Sequence, residues 1–149
     1  MNFKDATQAD LEYQLGAQVQ YLQKFVPSDY TINTLALPYG SRPKDKTLEV
    51  YLQKGQYEDV SYENIAILNV GWMPALSPFH NAFDPLSIPR VRASETDVDN
   101  VGFMNYLLDY ETNPQKRYIS DGEASIITIP SSVADKLNTS VPLEIYSYE

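Results

Sequence analysis

The sequence contains no cysteine. That excludes disulfides, thiolate zinc sites and a cysteine nucleophile. Histidine is nearly as scarce: His80 is the only one. A catalytic metal centre ordinarily takes two or three imidazoles with a carboxylate, so this chain cannot furnish one alone. No apolar run approaches the roughly 18 residues of a membrane span, and no signal peptide is visible at the start. Basic residues are also few, 11 Lys and Arg against 20 Asp and Glu, for a formal net charge of -9. Such a field repels phosphate backbones, which argues against a nucleic-acid partner. The acidic groups are scattered, so a solvated acidic surface accounts for them.

What is present suits a folded domain. The 149 residues are 43% hydrophobic, about one domain's length and too apolar for disorder. Twelve tyrosines are many for this length. Tyrosine joins an apolar body to a polar tip, so it serves half-buried cores and sugar grooves equally.

Periodicity predicts a helix over 7–26, opened by a capping box between Thr7 and Asp10 and closed by Pro27. Leu11, Leu15, Val19, Leu22 and Val26 form its apolar stripe. Residues 31–37 read as a strand closed by the turn Pro38-Tyr39-Gly40, and 47–54 as helical turns stopped by Gly55. Ile65 to Val70 is an almost continuous apolar run, as in a strand covered on both faces. Residues 88–93 suggest another strand and 97–110 a helix with Phe103, Tyr106, Leu107 and Tyr110 on one face. Short strands follow at 118–120, 125–130 and 143–148, with a turn at Asp121-Gly122 and a helical turn at 132–137. Alternating strands and helices to residue 110 indicate an α/β class, with a β-rich tail.

Few constellations carry chemistry. No Gly-x-Ser-x-Gly elbow and no glycine-rich phosphate loop occur, and nothing singles out a carboxylate pair for glycoside hydrolysis. Residues 35–40 place a tyrosine and a backbone amide at the C-terminal end of a strand, where α/β folds build their sites. The loop from Gly71 to Pro89, with Trp72, Pro74, Pro78, Phe79 and Phe83, either lines a sugar groove or forms a small core of its own. His80, beside Phe79 and Asn81, reads as a loop histidine more readily than as a ligand.

Three stretches, Leu35-Ala36-Leu37-Pro38-Tyr39-Gly40-Ser41-Arg42-Pro43, Ser87-Ile88-Pro89-Arg90-Val91 and Arg117-Tyr118-Ile119-Ser120-Asp121-Gly122, carry a resemblance. In order and spacing, together with 65–71 and Ser77-Pro78-Phe79, the chain resembles NodB-type polysaccharide deacetylases (carbohydrate esterase family 4) of a Gram-positive bacterial branch. The resemblance implies a partial, distorted (β/α) barrel over 1–112 and a small β appendage over 113–149. It implies the C-terminal part of a metal-dependent enzyme that removes N-acetyl groups from cell-wall glycans, in a parent that is extracellular or attached to the cell surface. The family's metal aspartate, base and His-Ser/Thr-x-x-His motif precede the matching region. The divalent metal, zinc or similar, is therefore expected in the full-length parent, and this chain alone is expected to be inactive.

By resemblance, the Tyr39 backbone amide serves the oxyanion. Pro38, Tyr39, Trp72, Phe79 and His80 contact an N-acetylated polysaccharide. The family's arginine aligns with Ala36, which leaves Arg90 as a substitute for orienting the base, and the family's late Leu-x-His motif is not evident. These departures keep open a non-catalytic glycan-binding or cell-surface domain on a degenerate scaffold. An unrelated α/β domain with a protein partner is a third reading. An incomplete barrel leaves sheet edges open, so self-association is a further expectation.

Overall fold

The computed structural model describes residues 2–71, 73–93, 102–114, 122–140 and 142–149. It is mixed α/β, with three two-stranded sheets and no closed barrel among the described residues. No described helix is long and apolar enough to cross a membrane. The chain divides into two compact units, Met1–Gly71 with Asp84–Arg90, and Trp72–Phe83 with Val91–Glu149.

In the first unit, α1 spans Gln8–Leu22. Both arms of its capping box form: the Thr7 hydroxyl accepts from Asp10 N–H at 3.2 Å, and the Asp10 carboxylate accepts from Thr7 N–H at 2.9 Å. Two of the free N–H groups at the helix start are thereby satisfied. Leu11 and Leu15 are buried and Val19 half-buried, as the apolar stripe requires. The α-helix stops at Leu22, and looser turns carry the chain to Pro27.

Strands β1 (Thr34–Ala36) and β4 (Ala66–Leu68) pair in parallel, with Leu35 opposite Ile67. Between them run a 3-10 helix (Lys46–Glu49), the short α2 (Val50–Gln53), and a hairpin of β2 (Lys54–Tyr57) and β3 (Val60–Glu63). The hairpin is absent from the sequence expectation, where Gly55 ends a helix. Gly55 instead lies within β2, and its bare α-carbon makes room for the Tyr62 ring. Helix α1 packs on β2 and β3, and Gly16 lets Tyr57 approach the helix backbone.

The core of this unit gathers Phe3, Leu11, Leu15, Leu35, Leu37, Leu52, Tyr62 and Ile67. Leu11, Leu37, Leu52 and Ile67 are fully buried, each contributing about 1.5–3 kcal/mol of transfer free energy. Asn64 is the buried polar side chain here, and its Nδ2 donates to the Leu52 carbonyl at 2.8 Å.

Beside β4, outside the sheet's two strands, an isolated parallel bridge joins Leu68 to Ile88. Ile67 N–H donates to Pro85 O, Ile88 N–H to Ile67 O, and Asn69 N–H to Ile88 O, at 2.9, 2.9 and 2.7 Å. Of the strand expected at 88–93, only its start lies against β4, with bridge pairing at Ile88 alone, while 85–87 form a turn leading into it.

In the second unit, α3 spans Phe103–Thr112. Along its expected face Phe103 and Leu107 are exposed, and Tyr106 and Tyr110 half-buried. Strand β5 (Ile126–Pro130) alternates, with Ile127 and Ile129 buried, as period two demands. It pairs in parallel with β6 (Glu144–Tyr148), whose five residues are all exposed. The connection passes through a 3-10 helix, Ser131–Lys136, where sequence places a helical turn. The strand expected at 118–120, Asp121, and the start of the helix expected at 97–110 lie outside the described residues.

Candidate functional site

The parallel strands of the first unit end together, and their C-terminal ends carry the residues singled out by sequence. Leu37 extends the ladder one step beyond β1, donating its N–H to Leu68 O at 3.0 Å. Pro38 then opens a tight 3-10 turn, closed by Gly40 N–H to Leu37 O at 3.2 Å and Ser41 N–H to Pro38 O at 3.0 Å. Tyr39 sits inside this turn in the left-handed region, φ 56° and ψ 14°. A non-glycine residue there carries backbone strain of order 1–2 kcal/mol.

Two consequences follow at Tyr39. Its side chain stands 84% exposed at the end of the sheet. Its N–H has no acceptor among the described residues, because the turn uses the amides of Gly40 and Ser41. An unused amide at a strand end is the kind of donor that stabilises a developing oxyanion.

Across β4, the half-buried Arg90 donates its Nε to the Asn69 carbonyl at 2.7 Å. Its terminal Nη atoms have no acceptor among the described residues. Gly71 N–H closes the ladder on Arg90 O at 3.2 Å. Tyr39 and Arg90 therefore share one end of one sheet, on either side of β4.

Sequence reasoning passed over Arg42, Asn69 and Ser87 as site residues. Arg42 donates Nη2 to Asn69 Oδ1 at 3.0 Å and to Leu86 O at 2.5 Å, and its Nη1 lies 3.7 Å from the Glu49 carboxylate. Asn69 donates Nδ2 to Ser87 Oγ at 2.7 Å. The available signal was the polar Asn69 inside the apolar run 65–70.

Phe79 and His80 belong to the second unit. Their loop is held by hydrogen bonds: Asn138 N–H to Phe79 O at 2.7 Å, Asn81 N–H to Lys136 O at 2.8 Å, and His80 N–H to Ser77 O at 2.9 Å. The His80 ring turns back on this loop, its Nδ1 accepting from Ala82 N–H at 3.0 Å. Trp72 lies outside the described residues. No group of three or more His, Asp or Glu among the described residues is placed to hold a metal ion.

A separate groove of about 960 Å³ borders the N-terminal approach to β1, at the opposite end of the strand from Tyr39. Polar groups such as Gln23, Tyr30 and Gln56 line it together with the charged Glu12, Lys54 and Glu63.

Comparison with protein-family models, with curated proteins and with solved structures finds no match to this chain.

Proposed function

We propose that this chain is the C-terminal part of a metal-dependent polysaccharide deacetylase acting on N-acetylated cell-wall glycans. The observation that supports this reading is Tyr39: a strained, exposed residue at the C-terminal end of a parallel strand, with its N–H unused. Hydrolysis of an acetamide places negative charge on the carbonyl oxygen as water adds, before the C–N bond breaks to release acetate and the amine. The Tyr39 N–H donates to that oxygen, and the exposed Tyr39 ring with Pro38 forms a wall against the sugar. The free Nη atoms of Arg90 hold a carboxylate base in orientation.

The divalent ion that the resemblance implies does not fit the described residues, which build no site for it. In this reading the metal and the base come from outside them, and the chain alone is inactive. Acetate release tests the reading. A longer parent protein, supplied with divalent metal, is expected to deacetylate chitin oligomers or peptidoglycan fragments. No release by that parent, or robust turnover by the isolated chain, overturns the proposal.

A second reading, a non-catalytic glycan-binding domain, draws on the groove beside β1. Its amide and hydroxyl side chains and the exposed Tyr30 suit a hydroxyl-rich ligand, with Glu12, Lys54 and Glu63 adding charged hydrogen-bonding groups at its wall. Loss of glycan binding in Tyr30→Ala, with Tyr39→Ala unaffected, favours this reading over the first.

A further inference from the structure

The limb leaving the Tyr39 turn carries a guanidinium that the proposed chemistry does not use. Arg42 stands two residues after Gly40, and its side chain is only 21% exposed. Its contacts with Asn69, Leu86 and Glu49 tie that limb to the residue after β4, to the turn before the Ile88 bridge, and to the 3-10 helix before α2. All four polar groups of Asn69 are engaged. Its Oδ1 takes Arg42, its Nδ2 serves Ser87, its N–H serves Ile88, and its carbonyl accepts the Arg90 Nε. A continuous line of hydrogen bonds therefore runs from Arg42 through Asn69 to Arg90.

We infer that Arg42 is a positioning residue which, acting through Asn69, fixes the Arg90 guanidinium and braces the Tyr39 turn. The inference rests on the reading of Tyr39 and Arg90 as site residues, and it names what sets their geometry. Arg90 is held by one hydrogen bond through Nε, so its fork points one way only while the accepting carbonyl keeps its place. That carbonyl belongs to a residue whose side chain is pinned from two sides. Removing Arg42 leaves Asn69 Oδ1 and Leu86 O without their donor in a part-buried setting, which favours rearrangement of β4's end. The geometry also accommodates an acid in place of the amide at position 69. Asn69→Asp keeps an acceptor for Arg42, and the Ser87 hydroxyl can turn to donate instead of accept. Asn69→Ala removes both attachments.

The experiment is nitrogen-15 NMR of the full chain, following the Arg90 Nε–H and the Tyr39 amide. Arg42→Gln is expected to speed exchange of the Arg90 Nε–H by about tenfold and to shift the Tyr39 amide. Arg42→Lys, which retains a cationic donor, recovers part of the protection. Asn69→Asp keeps slow exchange, and Asn69→Ala loses it. Wild-type signals for Arg90 and Tyr39 in Arg42→Gln or Asn69→Ala, even with a lowered melting temperature, overturn the inference and leave Arg42 as a stabilising strut. Should Arg42→Gln not fold, the two Asn69 variants decide by the same readout. None of these signals depends on acetate release, so failure of the deacetylase reading and failure of the positioning role are told apart.

Discussion

Gly40 and Val70 meet so closely that a β-carbon added at Gly40 would stand 2.8 Å from the Val70 β-carbon. The Gly40 φ of 64° adds a second obstacle to any side chain. Gly40→Ala is therefore expected to destabilise the fold by about 2–4 kcal/mol, from left-handed strain together with overpacking. Gly122 supplies the control. It too has positive φ, 84°, but nothing lies within 4 Å of an added β-carbon. Gly122→Ala is expected to lose only about 1 kcal/mol. Urea unfolding of both variants separates conformation from contact, and equal losses would mean that the Val70 contact contributes nothing.

On the alkaline side the sensitive group is Tyr62. Its hydroxyl donates to the Tyr51 carbonyl at 2.6 Å, and the side chain is buried in the core. Burial pushes its ionisation well above the usual tyrosine range, and the nearby Glu12 adds to the effect. Because the folded pKa is raised, the stabilisation is fully present below the unfolded value near 10 and is lost as pH rises beyond it. Tyr62→Phe removes the hydroxyl and leaves Tyr51 O without this donor, at a cost of about 1 kcal/mol near neutral pH. The same variant should lose less stability than wild type as pH is raised past 10, read by thermal melts.

On the acid side, three exposed carboxylates among the described residues are shifted. Hydrogen bonds from Thr7 lower the Asp10 pKa, those from Thr47 lower Asp45, and the hydrogen bond and charge of Lys44 lower Asp5. Each folded pKa lies below its unfolded value, so the stabilisation is present above the ordinary aspartate range. It is lost as pH falls through the folded values. Thr7→Ala opens the capping box and is expected to cost about 1 kcal/mol. Circular dichroism across an acid titration should then show a shallower stability loss in Thr7→Ala than in wild type. An unchanged slope would mean that Asp10 titrates independently of the cap.

The elements most legible in the sequence are those whose determinants are local. The cap, stripe and proline of α1 lie within twenty-odd residues of each other, and α1 forms with both capping bonds in place. The apolar run at 65–70 correctly marks a strand, though only Ala66–Leu68 keeps strand pairing. What sequence does not disclose is pairing. Nothing in 126–130 or 144–148 says that these strands run parallel, because direction depends on the connection. Gly55 shows the same limit: a glycine that reads as a helix stop serves a tyrosine seven residues later. At the candidate site, Tyr39 was visible from its turn. The tie from Arg42 to Asn69 spans 27 positions and leaves no periodic trace.

The partition of the chain has a consequence for its synthesis. The first unit includes residues 85–90 as the second neighbour of β4, yet Trp72–Phe83 belongs to the other unit. As the chain leaves the ribosome, β1 and β4 emerge well before their neighbour, and β4 waits with one edge unpaired while the intervening stretch is made. Exposed strand edges of this kind are where nascent chains misassemble. A cut after Arg90 would leave the first unit's residues on one fragment but would strip the second unit of Trp72–Phe83, so the second cannot be freed by one cleavage.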